Sequence, residues 1–145
     1  MSTVTRTINA SPERVWEVLA DGWLYPGFVV GASRMRDVDA AWPAVGSRVH
    51  HSVGLWPALI NDDTEVTESR TNQLLALRAR GWPLGEADVQ FRLTPTGDGS
   101  TEVTIEENVA SGPGLLVPPP IKGLTITWRN VETLRRLAFI AERRR

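Results

Sequence analysis

Residues 87–109 contain the pattern that decides the fold of this chain. Residues 87–94 read ADVQFRLT, in which Ala, Val, Phe and Leu alternate with Asp, Gln, Arg and Thr. Such alternation places the apolar side chains on one face of a β-strand and the polar ones on the other. Residues 96–100, TGDGS, are typical of a turn, and a second strand is predicted over 102–109. Together they predict an antiparallel hairpin with one buried face and one face in water.

Upstream of this hairpin, turn residues recur every ~8–12 residues, which is the spacing of successive antiparallel strands. We predict these earlier strands at residues 4–8, 32–38, 47–53, 58–68 and 74–80. After the first strand, Ser11 and Pro12 mark a helix start, as the N-cap and the first helical residue. Asp21 and Gly22 end that helix, and residues 23–28 leave room for one further short aromatic turn.

Downstream, residues 111–120 are rich in Pro and Gly, and they predict a connector without helix or central strand. We expect this connector to be the most mobile segment apart from the termini and to gate a cavity. Residues 121–145 contain no Pro and predict a helix about 30 Å long. Its apolar residues recur at helical spacing at Leu124, Trp128, Val131, Leu134, Leu137, Ala138 and Ala141.

A sheet with one apolar face and a single long amphipathic helix must cover each other, because neither has another partner. The order of elements therefore predicts an α+β fold. In it, a curved antiparallel sheet of about seven strands wraps around the C-terminal helix, and two short helices follow the first strand. Curvature of the sheet leaves a hollow at one end of the helix, where a small molecule can bind.

Composition narrows the classes of function. With 145 residues, 41% of them hydrophobic, residues 1–145 are expected to form a single domain. A net charge of −1 argues against nucleic acid and against an anionic membrane surface as partners. The absence of cysteine excludes disulfides and a thiolate nucleophile. No apolar leader or run of ~20 apolar residues is present, so we expect a cytoplasmic protein without stable membrane insertion. The oligomeric state stays open.

Four stretches of the sequence carry a resemblance to a known family. They are residues 11–16 (SPERVW), 46–54 (GSRVHHSVG), 62–66 (DDTEV) and 129–138 (RNVETLRRLA). With these stretches the whole chain resembles the START/Bet v1-like (SRPBCC) superfamily, in its polyketide cyclase/dehydrase-like branch. The resemblance implies a helix-grip fold around a hydrophobic cavity. Function transfers poorly, since members range from lipid carriers to aromatases and cyclases.

Three polar residues are predicted on the apolar inner face of the sheet. If Val49 faces inward, the period of the strand puts His51 inward as well. The same counting predicts Asp62 and Glu107 on the inner face. Histidine and a carboxylate in apolar surroundings are suited to acid–base catalysis, and Glu107 is our first candidate for the acid or base. The alternative is that each residue only satisfies neighbouring polar groups or lies in water at the rim of the sheet.

A metal site and a cofactor are not expected. His50 and His51 are the two histidines of the chain, and as neighbours on a strand they point to opposite faces. The sequence also contains no glycine-rich phosphate-binding signature and no nucleophile elbow.

The expected ligand-binding residues are apolar. Shared-face counting predicts a cavity bordered by Val49, Val53, Val89, Phe91, Val103, Ile105, Leu124 and Trp128. Tryptophan precedes proline at Trp42, Trp56 and Trp82, near predicted strand ends. All three are predicted either to form an aromatic rim at the mouth of the cavity or to pack at the edge of the core, and Trp56 and Trp82 are counted among the ligand-binding residues. Arg78 and Arg80 are predicted on the solvated outer face, unless the register of their strand is shifted by one residue.

Three hypotheses of function follow. The first is a binding protein for a small hydrophobic or aromatic metabolite or lipid, held between the sheet and the C-terminal helix. The second is a cofactor-independent cyclase, aromatase or dehydratase of a polyketide-like substrate. It requires at least two ionisable groups that converge in the cavity. The third is a domain that binds a partner protein through an exposed apolar patch.

Overall fold

The computed structural model describes residues 2–24, 32–53, 60–81, 85–111 and 119–143. In these ranges the strands and helices follow one another along the chain in the predicted order. They are β1 (Ser2–Ile8), α1 (Pro12–Ala20), a 3-10 turn (Gly22–Leu24), β2 (Ala32–Val38), β3 (Arg48–Val53), β4 (Ile60–Arg70), β5 (Leu74–Gly81), β6 (Gly85–Pro95), β7 (Thr101–Ser111) and α2 (Pro119–Arg143). The second short helix of the prediction corresponds to the 3-10 turn, and residues 25–31 after it lie outside the described residues.

The seven strands form one curved antiparallel sheet in the order β1-β7-β6-β5-β4-β3-β2. Strands β2 to β7 form a meander, and β1 pairs with β7 at the far edge. Register shifts interrupt the pairing of β2 with β3, β4 with β5 and β6 with β7. Bulges of this kind bend a sheet, so they support its curvature around the helix. The predicted α+β fold with a helix-grip architecture is confirmed.

The predicted hairpin between β6 and β7 is present. Phe91 pairs with Ile105 and Leu93 with Val103, and all four side chains are buried. At the turn, the backbone N–H of Thr96 donates to the carbonyl of Ser100 at 3.1 Å. The alternation of apolar and polar residues therefore predicted the buried face of both strands correctly.

Helix α1 closes one end of the inner face. Ser11 Oγ accepts a hydrogen bond from the backbone N–H of Arg14 at 3.2 Å, so the predicted N-cap is confirmed. The apolar side of the helix is buried in the core through Val15, Trp16, Val18 and Leu19. The buried Trp42 donates its indole N–H to the carbonyl of Leu19 at 3.2 Å. For Trp42, packing in the core rather than at a cavity rim is the confirmed interpretation.

Helix α2 begins two residues earlier than predicted, at Pro119. The expectation that the connector excludes helix through Pro120 was wrong. Backbone N–H groups in the first turn of a helix make no intrahelical hydrogen bond, so proline is tolerated there. Residues 112–118 of the connector, with the predicted mobility and gating, lie outside the described residues.

The predicted buried stripe of α2 is confirmed in part, at Leu134, Leu137, Ala138 and Ala141. Among the side chains that are described, those of residues 127–143, Asn130 and Thr133 are buried as well. Trp128 is 67% exposed and Val131 is also exposed, so their predicted place on the buried stripe was wrong. At 3.6 residues per turn, Trp128 lies about 200° around the helix from Asn130. A polar residue therefore occupies the centre of the buried face.

The outer face of the sheet carries ion pairs. Arg78 binds Asp88 at 2.7 Å and Glu86 at 3.1 Å, so the predicted outward position of Arg78 is confirmed. The side chain of Arg80 lies outside the description. Within the described ranges, no helix combines the length and the apolar character needed to cross a membrane.

Candidate functional site

Glu107 lies on the inner face of β7. Its strand neighbours in register are Val89 on β6 and Ser2 on β1, and Ile105 precedes it on the same face. The residue is only 5% exposed, whereas Glu106 is half-buried on the opposite face. The predicted inward position of Glu107 is confirmed, and its catalytic role stays a prediction.

Arg129 on α2 is the partner of the Glu107 carboxylate. Its Nη2 donates to Glu107 Oε2, and its side chain is 37% exposed. Arg129 was not predicted from the sequence. An inward carboxylate needs a counter-charge or a proton, and that requirement was the signal for seeking an arginine on the covering helix.

Asn130 follows Arg129 on the buried face of α2. It is 4% exposed, and its Nδ2 has no hydrogen-bond partner among the residues that the structure describes. Buried polar groups in proteins are nearly always paired, so a buried donor without an acceptor calls for an explanation. Sequence reasoning missed Asn130 too, because it assigned the buried stripe by apolar residues alone.

His51 on β3 and Asp62 on β4 are direct cross-strand partners in the sheet register. Each lies two residues along its strand from one member of the Val49–Thr64 pair, whose side chains are both fully buried. The side chains of His51 and Asp62 lie outside the description. The register thus brings these two backbone positions together, and the inward direction of the two side chains stays a prediction.

The same register keeps Glu107 apart from this pair. Three strand spacings separate β7 from β4, about 14 Å across the sheet. Glu107 lies in the row of Val66, four residues and about 13 Å along β4 from Asp62. The three predicted acid–base residues therefore form two separate positions and not one cluster.

The inner face has a closed end and a more open end. At the closed end, Leu75, Phe91 and Ile105 are in register and almost fully buried beneath the helices. One row beyond Glu107 and Leu77, the small residues Ala79 and Ala87 pair with each other and are only half-buried. Val89, beside Glu107, is half-buried as well.

The predicted lining residues divide accordingly. Val49, Phe91, Val103 and Ile105 belong to the buried core, and Val89 packs against it. The side chains of Val53 and Leu124, and all of Trp56 and Trp82, lie outside the description. Trp128 lies on the exposed face of α2. The ligand-binding role of these residues, and the cavity itself, stay predictions.

The described residues contain no cluster of three or more His, Asp or Glu side chains that could hold a metal ion. The polar groups described on the inner side are the Arg129–Glu107 ion pair and the buried Asn130 amide, and the register also pairs His51 with Asp62. An ion pair and an amide can orient a ligand by hydrogen bonds, and histidine and carboxylate side chains are residue types that can transfer protons.

An open, curved antiparallel sheet that grips a C-terminal helix defines the START/Bet v1-like (SRPBCC) class of proteins, which confirms the predicted superfamily. The sequence then gives the family. Residues 2–138 match the model of a family described as polyketide cyclase / dehydrase and lipid transport, and the chain belongs to that family. A comparison with curated proteins finds no match.

Solved structures share the fold. A Nitrosomonas europaea protein, NE0264, superposes with a TM-score of 0.70 at 16% identity, over 97% of this chain and 92% of that one. The di-domain ARO/CYC StfQ from the steffimycin biosynthetic pathway has a TM-score of 0.74 at 10% identity. That match covers 98% of this chain and 50% of StfQ. Ara h 8.0201 has a TM-score of 0.71 at 9% identity, over 96% of this chain and 95% of its own. At these identities the likeness shows the fold alone.

Proposed function

We propose that this protein binds a small, largely apolar molecule between the inner face of the sheet and helix α2, as a carrier or sensor. The observation that carries the proposal is the position of Glu107, Arg129 and Asn130. Glu107 and Arg129 form an ion pair between the inner face and α2, Asn130 is buried one residue further along that helix, and Ala79, Ala87 and Val89 on the inner face are half-buried.

The exposure pattern supports a hollow at that end of the sheet. Strands β5 and β6 lie in the middle of the seven-stranded sheet and not at an edge. Their inner-face residues are therefore shielded from water only by the elements that pack on that face. Leu75 and Phe91 are closed off, while Ala79 and Ala87, on the same face, are not. Among the described residues, the principal contacts of α2 are with β1, β7 and α1.

The chemical character of the residues around the proposed hollow supports a small, largely apolar ligand. Small-molecule sites are mostly apolar and contain a few polar groups that fix orientation. Here the apolar part is provided by Val89 and the two alanines, and the polar part by the ion pair and the amide of Asn130. The family description, polyketide cyclase / dehydrase and lipid transport, is consistent with an apolar ligand.

Two measurements test the proposal. Native mass spectrometry of freshly purified protein is expected to reveal a co-purified small molecule. Titration with the neutral fluorophore N-phenyl-1-naphthylamine is expected to show saturable binding. Ala87→Leu fills the proposed hollow and is expected to weaken this binding at least 10-fold. Ala44→Leu, at an exposed loop position, is the matched control and is expected to leave it unchanged.

An absence of any bound molecule, together with probe binding that Ala87→Leu does not affect, would contradict the proposed site. Native-like thermal unfolding of both variants is required, so that a lost probe signal reports on the hollow and not on a collapsed fold.

An enzymatic function is the second candidate, favoured by the direct cross-strand pairing of His51 with Asp62. Glu107 is instead bound by Arg129, which ties it to α2, so we expect a positioning role for it rather than proton transfer. If an identified ligand is converted, His51→Gln and Asp62→Asn are expected to lower kcat about 100-fold or more. Glu107→Gln is expected to change kcat by less than about 10-fold. Equal losses in all three variants would restore Glu107 as a catalytic residue.

A further inference from the structure

We propose that the Asn130 amide is a hydrogen-bond donor for the ligand, and that the ligand carries a neutral carbonyl oxygen. This inference rests on the proposed function, because it assigns the chemistry of the same site.

The position of Asn130 on the helix is the first step. Asn130, Leu134, Leu137 and Ala141 follow one another at helical spacing and are all buried. The contact between Arg129 and Glu107 fixes the level of this turn above the sheet, at the row of Val89. Asn130 therefore lies on the covered side of α2, in the turn that the Arg129 contact places at the row of Glu107 and Val89.

The unpartnered donor is the second step. In the described residues, two buried side-chain atoms have no hydrogen-bond partner, Arg14 Nη2 and Asn130 Nδ2. The rest of the Arg14 guanidinium is used at the end of α2, where Nε donates to the carbonyl of Ala141 and Nη1 binds Glu17. No comparable structural use is present for the Asn130 Nδ2. Leucine has the same number of side-chain heavy atoms and the same branching, and it would continue the stripe of Leu134 and Leu137, so packing alone does not require a polar residue at this position.

The charge of the neighbouring ion pair indicates which acceptor fits. Arg129 and Glu107 together carry no net charge, and Glu107 is the more deeply buried of the two. The pair therefore offers a ligand carboxylate no net counter-charge, and an anion buried near Asn130 would keep the cost of its lost hydration. A neutral carbonyl oxygen accepts the amide N–H without that cost. The geometry therefore favours ketones, quinones or amides over fatty acids.

Matched probes test this inference. The pairs indane with 1-indanone and fluorene with 9-fluorenone differ by a carbonyl oxygen, and fluorene-9-carboxylate adds the anionic case. Wild-type protein is expected to bind each ketone about 5-fold more tightly than its hydrocarbon, the ratio for one net hydrogen bond. We expect the carboxylate to bind more weakly than the ketone. Dissociation constants are measured by isothermal titration calorimetry or by quenching of tryptophan fluorescence.

Variants at residue 130 isolate the donor. Asn130→Leu is expected to remove the ketone preference while the hydrocarbons keep their affinity within about 2-fold. It is also expected to maintain or raise Tm, because the unpartnered amide is removed. Asn130→Asp keeps the shape without the N–H donor and is expected to lose the preference as well. Thr133→Val, a buried polar residue one turn further along α2, is the matched control and is expected to keep it.

The outcomes separate the two proposals. If wild-type protein binds none of the probes, the proposed function fails and this inference fails with it. If hydrocarbons and ketones bind equally well, or if Asn130→Leu keeps the ketone preference, the inference alone is overturned and the proposed function stands. Tighter binding of the carboxylate than of the ketone would also overturn it.

Discussion

Arg129 on α2 donates a hydrogen bond to Glu107 on β7, and this ion pair ties the C-terminal helix to the inner face of the sheet. The two partners differ in their access to water. The carboxylate side chain is almost completely buried, whereas more than a third of the arginine side chain is exposed. Loss of Arg129 is therefore expected to lower the free energy of unfolding more than loss of Glu107.

Arg129→Met is expected to lower the free energy of unfolding by about 3 kcal/mol, because it leaves a buried carboxylate without its counter-charge. Glu107→Gln is expected to cost about 1 kcal/mol, because the exposed part of Arg129 remains solvated. Urea denaturation at pH 7 measures both values. The double variant should be more stable than Arg129→Met alone. Equal costs for the two single variants would show that the pair is not asymmetric.

Trp42 supports the end of α1 from a distant segment. The last turn of a helix has carbonyl groups without intrahelical partners, and the Trp42 indole satisfies that of Leu19. Trp42→Phe is expected to cost about 1–3 kcal/mol of unfolding free energy, because the carbonyl is left buried and unpaired. Trp128→Phe, on the exposed face of α2, serves as the control and is expected to change stability by less than about 0.5 kcal/mol. A similar small change for both variants would contradict the role of the indole.

Gly22 allows the 3-10 turn to lie against β2 and β3. A Cβ atom at this position would lie 2.7 Å from Val38 Cγ1 and 2.9 Å from Val49 Cγ1. Gly22→Ala is expected to cost about 1–3 kcal/mol through overpacking. In a Val38→Ala background the same substitution should cost clearly less, which chemical denaturation of the four proteins can measure as a coupling energy. An identical cost in both backgrounds would rule out the steric explanation.

The Glu132 carboxylate on α2 gives a pH-dependent contribution to stability. Hydrogen bonds from Arg135 and Arg136 lower the pKa of Glu132 from 4.5 to about 2. A pKa that is lower in the folded state stabilises the fold above pH 4.5, and this contribution is lost as the pH falls from 4.5 to about 2. The difference in unfolding free energy between wild type and Glu132→Gln should therefore shrink over this range. NMR titration of the carboxyl carbon checks the pKa directly, and a difference independent of pH would contradict the assignment.

Local patterns were sufficient for most of the architecture. Alternation in β6 and β7 identified Phe91 and Leu93 as inward residues, and the same parity placed Glu107 inward. Ser11 and Pro12 located the start of α1 because capping depends on a few adjacent residues. These features are short-range, so the sequence by itself determined them. It also determined the α+β class and the order of the strands and helices along the chain.

The rotation of α2 and the partners of the inward polar groups were decided by tertiary structure. The apolar residues of α2 extend around more than one side of the helix, so their spacing did not distinguish Trp128 from Asn130 as the buried residue. Packing against β1, β7 and α1 selects the face. The same packing brings Arg129 to Glu107, 22 residues away along the chain, while the strand register pairs His51 with Asp62 at a distance from both. Such contacts depend on how separate elements dock, and no local periodicity encodes that docking.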